Sequence, residues 1–137
     1  MPNDLDVLLS VTLDTTTTPW SLDVNQANNA NHLDPGPHPQ RIVWTLIENA
    51  ASGSFVALDA PEPGFAWSGA SPPPGIFDHL QISPANINQL TMKDHHRGGT
   101  TAGTWIYILR ARIGETIYST IAKAPIGQNT NPTIKNN

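Results

Sequence analysis

Apolar residues fall at every second position along the first stretch of the chain. Leu5, Val7, Leu9, Val11 and Leu13 alternate with Asp6, Ser10, Thr12 and Asp14. A period of two puts successive side chains on opposite faces of a strand, so residues 5–14 predict a strand with one dry and one wet face. Trp20 to Val24 alternates again. Arg41 to Glu48 is apolar on both faces, with Ile42, Trp44 and Leu46 against Val43 and Ile47, as in a central strand covered on both sides. Residues 49–54 predict a turn and 54–59 the strand that returns as its hairpin partner. Phe65 to Trp67 predicts a short strand. Between Phe77 and Ser83 the alternation places Leu80 and Ile82 inward and His79 toward solvent. Residues 86–90 fit either a strand or one short helical turn.

Thr104 to Arg112 puts Trp105, Tyr107, Leu109 and Ala111 on one face, with Arg110 and Arg112 on the other. Residues 116–123 are expected to return beside it. With Gly114 in the left-handed position of a three-residue loop, Leu109 would face Ile117 and Ala111 would face Glu115.

Thirteen prolines and ten glycines are scattered through the chain and leave little room for long helices. Residues 25–40 predict a long irregular connection, 71–75 a rigid extended loop and 93–103 a polar, glycine-rich loop. Residues 126–137 are expected to be an extended or frayed tail. Short strands without helical periods between them argue for a sandwich. The expected fold is one all-β domain over residues 1–137, an immunoglobulin-like antiparallel β-sandwich, with core packing the default role for Trp20, Trp44, Trp67 and Trp105.

Composition narrows the function classes. The 137 residues include no cysteine, which removes disulfides, thiolate metal sites and cysteine nucleophiles. Net charge is −4 with only seven basic residues, so nucleic acid is not an expected partner. Charged residues make up 13%, and Thr, Asn and Pro take their place. No apolar stretch approaches the ~18 residues that span a bilayer, and Met1-Pro2-Asn3-Asp4 has no positive leader character. The expectation is a soluble, cytoplasmic protein without a membrane partner.

The dipeptides Asp34-Pro35 and Glu62-Pro63, in their all-β surroundings, resemble the small bacterial family named for its DP and EP dipeptides. The resemblance covers nearly the whole chain. It implies a β-sandwich without an assigned activity and transfers no catalytic residue. Physically, a residue before proline is pushed toward extended conformation, and its carboxylate can accept hydrogen bonds that lock a loop.

The most site-like segment is Asp94-His95-His96-Arg97-Gly98-Gly99, a polar loop beside a strong core strand. Adjacent histidines of an extended segment point apart, so His95 and His96 do not easily share a metal. Further ligands would have to come from His79, His32 or His38. Trp67, flanked by small residues, is the best tryptophan to lie exposed beside Glu62 for a sugar or peptide. Candidate ligand-binding residues are therefore Asp34, Glu62, Trp67, His95, His96 and Arg97, with no catalytic residue, metal or cofactor assigned. The expected function is a non-catalytic binding or assembly module for an unknown ligand or protein partner, able to pair with itself through edge strands. The alternatives are a hydrolytic or metal-dependent enzyme using Asp34, Glu62, His95 and His96, and a structural subunit of a larger assembly.

Overall fold

In a computed structural model, residues 6–16, 20–120 and 132–137 are described. The alternation in the first stretch does form a strand, β1 (Asp6–Asp14), with Leu9, Val11 and Leu13 buried; Leu5 lies outside the described residues. β2 (Ser21–Val24) pairs antiparallel with β1, and β4 (Gln40–Leu46) pairs parallel with it on the other side. β8 (Gln89–Asp94) and β7 (Phe77–Ile82) complete a five-stranded sheet in the order β2-β1-β4-β8-β7. β4 is central as expected, but only its inner face, with Ile42, Trp44 and Leu46, meets the core.

The second sheet is built around β9 (Gly103–Ile113). Along one edge it pairs with β6 (Phe65–Ser68) and β5 (Ser54–Phe55). Along the other it pairs with β10 (Thr116–Ser119) and β11 (Thr133–Asn136), and β11 pairs parallel with β3 (His32–Leu33). The two sheets pack face to face as a β-sandwich. Both are mixed, because β1–β4 and β3–β11 run parallel where antiparallel pairing was expected throughout.

Aromatic residues fill the space between the sheets. Trp44 and Tyr107 lie edge-on at 5.4 Å, and Trp44 Nε1 donates to the Tyr107 hydroxyl at 2.9 Å. This hydrogen bond satisfies two polar groups in an otherwise apolar core. Burial pushes the Tyr107 phenol far above its usual pKa. Phe65, Trp67, Phe77 and Trp105 continue the cluster ring by ring.

Five expectations need correction. Residues 54–55 do not return beside β4; a turn at Glu48–Ala50, with Glu48 at φ 52°, carries the chain to the opposite sheet, where β5 joins β9. The connection 25–40 contains the short strand β3. The last hairpin closes with Thr116 opposite Ile113, which leaves two loop residues, and Gly114 at φ 65° occupies the first of them. A glycine there suits a tight turn whose twist matches the strands. Tyr118 therefore faces Ala111, while Ile117 pairs with Arg112 and is exposed. The return strand was expected to reach residue 123, and 121–123 lie outside the described residues. Residues 133–136 are extended but not frayed, since β11 sits between two strands with Ile134 and Asn136 buried; 126–131 lie outside the described residues. Finally, Trp20 is 48% exposed and stacks on Tyr118 across the sheet edges instead of entering the core.

Candidate functional site

The segment 94–101 begins on the last residue of β8 and folds back through a short turn at Gly99–Thr101. Thr101 organises it. Its hydroxyl accepts the N–H groups of Arg97 and Gly98 at 2.9 and 3.2 Å and lies 2.7 Å from His96 Nδ1. His96 is only 1% exposed, and its Nε2 contacts the backbone oxygen of Asn137 at 2.5 Å. Both ring nitrogens are engaged, so His96 holds the loop and is not free to ligate. Arg97 is exposed.

Asp34 joins the same fastening. Its Oδ1 accepts from Asn137 Nδ2 at 2.9 Å, its backbone oxygen accepts from Gln40 Nε2 at 2.7 Å, and Gly36 N–H donates to the His96 oxygen at 3.0 Å. Asp34 and His96 are thus brought to one end of the sandwich, near Gly103. Glu62 is not. It lies exposed at the other end of β9, where Arg110 donates to the Pro63 oxygen at 3.0 Å. The seven residue steps from Gly103 to Arg110 span roughly 23 Å at ~3.3 Å per residue. Asp34 and Glu62 therefore stand at opposite ends of β9 and do not meet as an acid–base pair. Trp67 is half-buried between Phe65 and Phe77, at 5.0 and 5.1 Å, and packs on the core instead of standing free beside Glu62.

His95 turns the opposite way from His96. Its Nε2 lies 2.8 Å from Asp78 Oδ1, and His79 Nδ1 lies 2.7 Å from the same oxygen. Neighbours on a regular strand could not converge like this. A β-bulge between Asp78 and Gln81, with His79 at φ 55°, brings its ring back onto Asp78. The bulge also corrects the expected facing of β7: Phe77 turns inward with Leu80 and Ile82. The hydrogen bond with His79, and secondarily that with His95, holds the Asp78 carboxyl below the usual carboxylate range.

On the inner face of β8, Asp94 is fully buried. Its Oδ1 accepts from Asn136 Nδ2 at 3.1 Å, and that amide also donates to the Thr101 oxygen at 2.9 Å. Asp94 Oδ2 and Asn136 Oδ1 have no partner among the described residues. Two buried acceptors without a partner are costly. A proton on Asp94 would convert them into a donor and an acceptor. Burial raises the Asp94 pKa to about 6, against the smaller opposing effects of Asn136, His96 and His95.

The outer face of the five-stranded sheet was missed in the sequence. Arg41 pairs bidentately with Asp6, at 2.7 and 3.2 Å, and lies beside Lys93 and then Asp78 in one cross-strand row. The next row is Leu8, Val43, Thr91 and Gln81, and a further one runs Ser10, Thr45 and Gln89. Among the described residues no layer covers these rows. Leu8 is 70% exposed, and a cleft of about 430 Å³ opens among Leu8, Val43, Gln81, Ser83, Gln89 and Thr91. The available signal was the run of polar residues on one face of β8. Gln89, Thr91 and Lys93 alternate with the buried Leu90, Met92 and Asp94.

No protein-family model matches the chain, and no curated protein matches it.

Proposed function

We propose that the protein is a non-catalytic binding module that takes an uncharged, hydroxyl-rich ligand, carbohydrate being the class to test, on the open face of its five-stranded sheet. The observation behind this reading is the cleft itself. Gln81, Gln89, Thr91 and Ser83 offer donors and acceptors without net charge, over an apolar floor of Leu8, Val43 and Pro84. Neutral side chains of this kind can match hydroxyl groups, and the apolar floor can take the C–H face of a sugar ring. The Asp6–Arg41 pair closes one end as a fixed polar wall.

The resemblance to the DP–EP family supports the same reading, since it brings no catalytic residue with it. Kinship to immunoglobulin-like modules belongs to the proposal too. Two face-to-face sheets around an aromatic core support it, while the parallel β1–β4 pair argues against an identical strand plan.

The test is a panel of immobilised glycans followed by calorimetry on any hit. Wild-type chain should bind, and Gln89→Ala with Thr91→Ala should lose binding while keeping the β-sheet circular dichroism. Both residues point outward, so folding should survive. A wild-type chain that binds no saccharide, or binding that persists in the double variant, would overturn the reading.

A further inference from the structure

Beyond the cleft, the bulge in β7 assembles a different chemistry. Asp78 Oδ1, His79 Nδ1 and His95 Nε2 all lie within 4.8 Å of one another, at the edge of the sheet where an ion can enter from solvent. We propose that these three atoms bind one divalent transition-metal ion of the zinc class. Two imidazole nitrogens and one carboxylate oxygen form a borderline donor set. It suits Zn²⁺, Co²⁺, Ni²⁺ or Cu²⁺ in preference to Ca²⁺ or Mg²⁺, which favour all-oxygen shells. Three protein ligands leave a coordination position open to water or to another molecule.

The packing of β7 has no need of His79. Phe77, Leu80 and Ile82 all face the core, and the bulge absorbs the extra residue that separates the first two. Without His79 the remaining residues would alternate in a strict period of two, with the same three side chains inward. The inserted residue therefore serves the outer surface, and its imidazole lies against Asp78. Bulges commonly re-aim a side chain in this way. One positive group opposes the ion: Lys93 is the cross-strand neighbour of Asp78. It is exposed, and its flexible stem lets the ammonium turn away. His96, one residue beyond His95, is withheld by its bonds to Thr101 and Asn137.

The experiment is calorimetric titration of the full chelator-treated chain with Zn²⁺. Saturable binding of one ion per chain is expected. His79→Gln, His95→Gln and Asp78→Asn should each weaken it by ~10-fold or more, the scale on which metal sites respond to altered ligation. His32→Gln and His38→Gln should leave it unchanged. Deleting His79 should abolish the site while preserving the sheet. Absence of saturable Zn²⁺ binding, or full affinity in the His79 and His95 variants, overturns the proposal. Should those variants fail to fold, imidazole nitrogen NMR of the wild-type chain decides. Zn²⁺ must shift His79 Nδ1 and His95 Nε2, and shifts confined to other histidines overturn it.

Discussion

Burial makes Asp94 a weak acid, with a pKa of about 6 in the folded chain against 3.8 for the free side chain. Between those values the folded state keeps a proton that the unfolded state has released. Stability is therefore fullest below the lower value and falls as pH rises through about 6, by on the order of 2–3 kcal/mol. Asp94→Asn puts a permanent N–H donor in place of an unpartnered carboxylate oxygen. In chelator-containing buffer its denaturant midpoint should vary less between about pH 4 and pH 7 than the wild-type midpoint, and should lie higher at neutral pH. Parallel pH profiles for the two proteins would refute this account of the pair. Gly64 is a second residue with a sharp prediction. A Cβ there would lie 2.4 Å from the Val56 backbone oxygen, because the loop after Glu62-Pro63 passes hard against β5 and β9. Gly64→Ala should cost about 1–3 kcal/mol in chemical denaturation, whereas Gly36→Ala, whose Cβ meets nothing within 4 Å, should be close to neutral. Equal effects of the two substitutions would argue against the close approach.

The strands whose faces were legible in the sequence are those whose neighbours impose strict alternation. β1 and β9 read correctly because Leu9, Val11 and Leu13, and Tyr107, Leu109 and Ala111, all meet the same core. β4 read correctly as a central strand but not as one covered on both sides, since Arg41 and Thr45 flank Val43 on a face that no described layer covers. Pairing was less legible than facing. Nothing local tells Ser54–Phe55 that its partner is β9 and not β4, and a parallel pair such as β1–β4 has no turn to announce it. The candidate site suffered from the same blindness. Assuming a period of two hid the bulge, although Phe77 and Leu80, three apart and both apolar, break that period. His95 was singled out and His79 named among its possible co-ligands, but Asp78, and the turn that brings His79 onto it, became visible only through the bulge. β11 offers the clearest element-scale test. Ile134 is fully buried and the strand is hydrogen-bonded on both sides, so its amide protons should exchange as slowly as those of β9. Ile134→Ala should cost about 2–4 kcal/mol. Amides at 133–136 that exchange like an unstructured tail would show the strand to be misplaced.

At the scale of the whole molecule, the sandwich manages its open edges. β2 has four residues and packs near β10, β3 and β5 have two each, and β7 is bulged. Short or distorted edges make poor templates for a second chain. Light scattering during gel filtration should therefore give the mass of one chain in metal-free buffer, and a stable dimer would mean that another surface pairs. The placement of β11 has a further consequence, for the order of events as the chain is made. Lys135 sits opposite His32, and the Asn31 side chain bonds to Thr133 at 3.0 and 3.1 Å, across 102 positions of sequence. β3 cannot take its place until synthesis has passed residue 136, about a hundred positions later. Pairings this distant are slow to form because a large loop must close first. A nascent chain halted before residue 133 would hold β9 with Gly103–Ile106 unpaired on the β11 edge, and the second sheet would have to wait for those residues before it could finish folding.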